Sequence, residues 1–283
     1  MGFLIPVGLI RRIALLGLSL VVSGCASRSE VAAGIAADAR MGQAIIATER
    51  FDIMTYQRRA AGATMLTVYV EGDGFAWATP TRPSTDPTPK NPVALRLAAA
   101  DGSGAVAWLA RPCQYTGGTR GRGCSEALWT EGRYAEMIIA SMSQAIDRLK
   151  AGAGVARIRL VGYSGGAAVA ALLAARRSDV DLLISVAGML DSAAWTRSEG
   201  LTPLRWSLDP ADGVSALSGL RQIHYVGAGD RDVPIAVARS YAARFPPGHA
   251  PEIVVVDGYD HHCCWVDIWP KLLTRAEREA RVP

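Results

Sequence analysis

One seven-residue stretch limits this chain more than any other. Residues 160 to 166 read Leu160-Val161-Gly162-Tyr163-Ser164-Gly165-Gly166, an apolar strand running into Gly-x-Ser-x-Gly and then into the alanine-rich helical pattern Ala167 to Arg177. A strand followed at once by a helix needs a sharp turn, with the serine at its apex in a strained backbone conformation. The flanking glycines let neighbouring backbone come close where a Cβ would collide. Ser164 is therefore the first candidate for a reactive group. A glycine-rich turn into a helix also suits a phosphate at the helix N-terminus. A phosphate loop wants Gly-Lys-Ser/Thr, however, and no lysine stands here.

The 283 residues, half of them apolar and a fifth charged, suit one globular domain of α/β size. The first residues read differently. Arg11 and Arg12 precede the apolar run Ile13 to Val22, and Val22-Ser23-Gly24-Cys25 closes it with small residues before a cysteine. This resembles the lipobox of bacterial lipoproteins, which implies cleavage before Cys25 and lipid attachment to it. A membrane span is excluded, because that run is too short to cross about 30 Å of hydrocarbon as a helix. A plain secretory signal would share the conclusion of export, and the rest of a twin-arginine signal is missing. The expected division is a signal peptide over 1–24, a lipidated N-terminus and alanine-rich tether over 25–45, and a domain over 46–283 with a cap insertion at about 191–217. Ala26 is not the aspartate that resembles an inner-membrane retention signal. The expected address is the cell envelope, on the periplasmic side of the outer membrane in a Gram-negative host.

Removing residues 1–24 takes away two arginines and no acids, so the formal charge falls from +4 to +2. No basic run remains that would speak for nucleic acid. Export also sets how the other cysteines are read, since Cys113, Cys124, Cys263 and Cys264 form an even set in an oxidising compartment. Cys113 and Cys124 bracket a short glycine-rich loop and are expected to pair, although four cysteines allow three pairings. His261-His262-Cys263-Cys264 does not suit a metal, because four consecutive side chains cannot converge on one tetrahedral ion.

Strands are expected at Phe51 to Tyr56, Thr64 to Val70, Ala105 to Leu109, Arg157 to Val161, Leu182 to Val186, Ile223 to Val226 and Ile253 to Val256. Helical patterns lie between them at Val93 to Ala100, Tyr134 to Leu149, Ala167 to Arg177 and Ala236 to Ala243. That alternation implies right-handed crossovers and a mostly parallel sheet covered by helices on both faces. The proline-rich Thr79 to Pro92 reads as an extended loop. Asp191 to Leu217 reads as the cap.

A serine needs a base to take its proton and a third group to orient that base. Gly227-Ala228-Gly229-Asp230-Arg231-Asp232-Val233-Pro234 follows one apolar strand, and Gly258-Tyr259-Asp260-His261 follows the next. With these residues in the order serine, acid, histidine, the chain resembles the α/β-hydrolases over about Thr64 to Leu273. Gly227, Asp230, Val233 and Pro234 match the spacing of that family's acid motif, and Gly258 and His261 match its histidine motif. The resemblance implies Ser164 as nucleophile, His261 as general acid and base, and Asp230 as the carboxylate behind it. Asp230 also suits an ordinary turn, His261 an ordinary surface position, and Asp232 and His262 are their neighbouring alternatives. The backbone N–H groups of Gly165 and, by position, Asp73 are the implied oxyanion donors, with Gly74 the alternative to Asp73. Here the chain departs from the family's His-Gly, carrying Glu71-Gly72-Asp73-Gly74. Two carboxylates beside a site for negative charge should point away or meet a cationic or hydroxyl-rich substrate, and both equally suit the capping of neighbouring turns.

The expected function is a lipid-anchored serine hydrolase of carboxylic esters, needing no metal or cofactor and acting on a small-molecule, lipid or glycan ester. Peptidase, thioesterase and lipase activities share the chemistry. One rival is a non-catalytic envelope protein of the same fold that binds a glycan, lipid or protein partner. Another is a redox role for Cys263 and Cys264, which lack Cys-x-x-Cys spacing. Trp77, Trp195 and Trp206 are candidates either to line a pocket or to pack ordinarily.

Overall fold

A computed structural model describes Gly2 and residues 26–279, so Cys25 and nearly all of the expected signal peptide lie outside the described residues. In chain order the elements are α1 (Arg28–Asp38), β1 (Gly42–Ala47), β2 (Asp52–Arg58), β3 (Met65–Val70), β4 (Trp77–Thr79), β5 (Arg82–Pro83), α2 (Val93–Ala100), β6 (Ala105–Leu109), α3 (Glu136–Ala153), β7 (Arg157–Tyr163), α4 (Gly165–Ala174), β8 (Val180–Val186), α5 (Ser192–Ser198), α6 (Val214–Leu217), β9 (Gln222–Gly227), α7 (Ile235–Ala242), β10 (Glu252–Val256) and α8 (Trp265–Glu279). The main sheet has eight strands in the order β1-β2-β6-β3-β7-β8-β9-β10. Within it β2 alone runs against the others. This is the mostly parallel α/β architecture that the alternating pattern implies.

Strand periodicity divides the apolar residues between two cores. Along β3, Leu66, Val68 and Val70 face a core shared with α3, α4 and α7. Tyr69 faces the opposite core, built with α1, α2 and α8. Helix α8 shows how that second face is closed. Its buried residues Trp265, Trp269, Leu272, Leu273 and Ala276 recur at helical spacing and form one stripe. Trp269 Nε1 donates to the Tyr69 hydroxyl at 2.9 Å, and that hydroxyl donates to Asp101 at 2.8 Å, so the buried polar atoms are partnered.

The segment expected as a tether is built into the domain. Ser27 caps α1 in a reciprocal arrangement with Glu30, and Ala32 and Ala36 are buried against the second core. Residues 42 to 47 pair with β2 as an edge strand. Alanine buries little surface per residue, so a helix that docks through small side chains leaves only a weak periodic signal. The proline-rich segment also differs in part from a plain loop, since β5 pairs with β4 in a two-stranded piece. The rest of it is irregular.

Chain order places the ligand crevice. From β3 the chain passes through α2 to β6 on one side, then through α3 to β7 on the other. The gap between the carboxyl ends of β3 and β7 is thus a topological switch point, where open α/β sheets bind ligands.

Candidate active site

Ser164 stands directly after β7 at the N-cap of α4 with φ 51° and ψ −125°. This is the strained apex expected of the strand-to-helix turn. A Cβ at Gly162 would overlap Ala167, and one at Gly166 would overlap the Val70 carbonyl, so the glycines are required by close backbone packing.

Asp230 follows β9 and His261 follows β10, and the structure brings both to Ser164. His261 Nε2 lies 3.0 Å from Ser164 Oγ, and His261 Nδ1 lies 2.9 Å from Asp230 Oδ2. An ionised carboxylate only accepts, so Nδ1 carries the proton and Nε2 is free to accept from the serine hydroxyl. The other Asp230 oxygen accepts from the N–H groups of Asp232 at 3.0 Å and Val233 at 2.8 Å. Both residues are buried, Asp230 at 6% and His261 at 7% exposure.

The side chain of His261 is set by a loop. Helix α8 begins four residues later, at Trp265, so helical spacing does not set its direction. Instead Tyr163 donates to the His261 carbonyl at 2.9 Å, and Trp265 Nε1 donates to the Asp260 carbonyl at 3.0 Å. Asp260 accepts from the N–H groups of Cys263 and His262, which hold its carboxyl below the ordinary range. His262 and Asp232 point outward and meet each other, Nε2 to Oδ2 at 3.1 Å.

The two carboxylates after β3 are accounted for without pointing at Ser164. Glu71 is buried and accepts from the N–H groups of Gly72, Ala94 and Leu95 and from Trp108 Nε1. It thereby caps α2, whose own N-cap residue, Pro92, makes no side-chain cap. Burial raises the Glu71 pKa, and its four donors oppose that rise. Asp73 meets Arg111 at 3.1 Å, Arg133 at 2.8 Å and the Tyr134 hydroxyl at 3.3 Å. Burial would raise its pKa too, but Arg133 and Arg111 outweigh burial and hold it below the ordinary range. Among the described residues the backbone N–H groups of Asp73 and Gly165 have no protein acceptor.

Arg111, Arg133, Tyr134 and Tyr163 are the site-supporting residues that sequence reasoning missed. A signal existed for Arg111, which follows β6 at the same sheet end as the other site loops. A cavity of about 270 Å³ opens beside Ser164, walled by the loop after β3, by Lys90 and Asn91, and by His261 and His262. A second cleft of about 710 Å³ shares Asp73, Gly74 and Phe75 with it and is flanked by Trp77 and Trp195. Trp206 is 64% exposed and lines neither. Among the described residues no three histidine, cysteine or acidic side chains are grouped to hold a metal ion.

Cys113 and Cys124 form a disulfide with Cα atoms 5.8 Å apart, and Cys263 and Cys264 form a second, between neighbours. The segment 191–217 carries α5 and α6. Asp191 caps α5 through the Ala194 N–H, and Asp209 accepts from Ser192, Ala193 and Ala211.

No protein-family model and no curated protein sequence matches the chain. Solved structures do. Est1E from Butyrivibrio proteoclasticus is 12% identical with a TM-score of 0.60, covering 84% of this chain and 98% of its own. An α/β serine hydrolase homologue from Coxiella burnetii is 16% identical with a TM-score of 0.56, covering 84% and 96%. An α/β serine hydrolase without a lid from Xanthomonas campestris is 13% identical with a TM-score of 0.55, covering 86% and 96%. With the switch-point crevice, the strand order and these likenesses together, the chain has the α/β-hydrolase fold.

Proposed function

We propose that this protein is an exported, lipid-anchored serine hydrolase that cleaves carboxylic esters through an acyl-enzyme. The observation that carries the reading is the pair of hydrogen bonds, 3.0 Å and 2.9 Å, that links Ser164, His261 and Asp230. In the first step Ser164 Oγ attacks the ester carbonyl while His261 Nε2 takes its proton, and Asp230 steadies the imidazolium. The carbonyl oxygen becomes an oxyanion that accepts from the N–H groups of Gly165 and Asp73. The Asp73 carboxylate does not spoil that site, because two guanidinium groups, Arg111 and Arg133, pair with its one charge. Collapse breaks the bond to the alcohol, which leaves with the proton held by His261. Water then attacks the acyl carbon, gives its proton to His261 and releases the acid, and the proton returns to Ser164.

Esterases among the structural neighbours support a small-molecule ester as substrate, with lipid and glycan esters open to the same chemistry. The lipid anchor is proposed at Cys25 from the sequence alone, and with it an envelope location on the periplasmic side of the outer membrane. Labelling by a fluorophosphonate probe tests the catalytic reading. A single adduct on Ser164, lost in Ser164→Ala together with hydrolysis of short aryl esters, is expected; a folded protein that takes no label contradicts it.

A further inference from the structure

The cavity in front of Ser164 carries several ionisable side chains, and all but one have a hydrogen-bonding or oppositely charged partner in the protein. Glu71 accepts four N–H donors, Asp73 meets two guanidinium groups, and His262 faces Asp232. His261 is held between Ser164 and Asp230, and the Tyr163 hydroxyl donates to a carbonyl. Lys90 is the exception. Its ammonium lies 4.2 Å from the centre of the Phe75 ring, and among the described residues it has no carboxylate partner.

The surroundings add to that charge. Arg28 lies over the same ring at 4.8 Å and uses its guanidinium on the carbonyls of Asp86 and Thr88. Asp86, on the same loop, accepts from the Thr88 N–H. Next to Lys90, the Asn91 carbonyl oxygen accepts from Arg96 Nε at 2.7 Å, which leaves the two amide N–H donors of Asn91 for a ligand. Lys90 and Asn91 both line the cavity that Ser164 also lines.

We propose that this cavity selects esters bearing an anionic group, a carboxylate, a few atoms from the scissile carbonyl, bound by the Lys90 ammonium and the Asn91 amide. The selectivity rests on the ester-hydrolase reading, but the anion site can be tested without turnover. Binding of phenyl hemisuccinate, 4-butyryloxybenzoate and neutral phenyl butyrate to the Ser164→Ala protein is measured by calorimetry. One of the two anionic esters is expected to bind about tenfold more tightly than phenyl butyrate, the scale of one charge-assisted hydrogen bond. Which of them does so tells whether the acyl or the alcohol half carries the charge. Adding Lys90→Met should bring that ratio to about one, and adding Lys90→Arg should keep it, the scale again being that of a single charged contact. Equal affinity for all three esters, or a preference that survives Lys90→Met, overturns the site. Turnover by the Ser164 protein is a separate arm. Its absence strikes the hydrolase reading, and the binding ratio still decides the anion site.

Discussion

Two adjacent histidines with different partners give the clearest test at the scale of single residues. His261 joins Ser164 to Asp230, whereas the exposed ring of His262 meets Asp232, the Tyr163 hydroxyl at 3.5 Å and, edge-on, the ring of His261. His261→Ala is expected to lower kcat/KM for an aryl ester by about 10³-fold or more, as loss of a triad base does. His262→Ala should cost less than about tenfold, the scale of an exposed pair. Steady-state kinetics on both folded variants checks the ranking. A third histidine, His224, is wholly buried between Ser185 and Tyr241, and burial lowers its pKa to about 3. The unfolded chain then binds a proton below the ordinary histidine pKa that the folded chain refuses. Stability should fall as pH drops from about 6.5 towards 3, by at most about 1.4 kcal/mol per pH unit from this group. Urea unfolding across that range should give a shallower slope for His224→Gln than for the unaltered protein.

Among the elements, α1 and the loop closed by Cys113 and Cys124 make opposite demands. A tether would tolerate a charge anywhere, but α1 buries Ala36 at 1% exposure. Ala36→Glu is therefore expected to cost about 3 kcal/mol or more in chemical unfolding, because the carboxylate has no partner in that core. Replacing both Cys113 and Cys124 by serine should cost about 2 to 3 kcal/mol for so short a loop, read from the same experiment. These two elements also show what the sequence carries and what it conceals. The strands β3, β6, β7, β8 and β9 are readable because continuous apolar runs suit strands buried on both faces, and β10 is readable from its run of valines although it is a partly exposed edge. Ser164, Asp230 and His261 were readable because each lies in a motif just past such a strand. Helix α1 was not, since alanine makes little contrast between its faces. The sequence allows Glu71 to cap a neighbouring turn, but it does not name α2 as what is capped, nor Arg111 and Arg133 as the partners of Asp73. Those contacts join residues 23 to 60 positions apart, and nothing in local spacing announces them.

At the scale of the whole molecule, every proposed reacting group follows a carboxyl end of the one sheet, so β3, β7, β9 and β10 together assemble the site. The attachment proposed at Cys25 is a separate matter, because that residue lies outside the sheet. No helix of the described residues is long and apolar enough to cross a membrane. Cys25→Ser should leave a folded domain and release it from the membrane fraction. Retention after a high-salt wash would count against lipid attachment there.

Arg28 would give an anchor at Cys25 a direction. Its guanidinium spans from the first turn of α1 to the Phe75 ring and the carbonyls of the loop that walls the Ser164 cavity. Only Ala26 and Ser27 lie between it and Cys25, so the two Cα atoms are at most about 11 Å apart along extended chain. An anchor at Cys25 therefore works as a short leash fixed beside the door of the enzyme, and sets how far from the bilayer that door can stand. Lengthening the leash by a flexible insert between Ala26 and Ser27 should change turnover of esters embedded in vesicles and leave turnover of dissolved esters as it was.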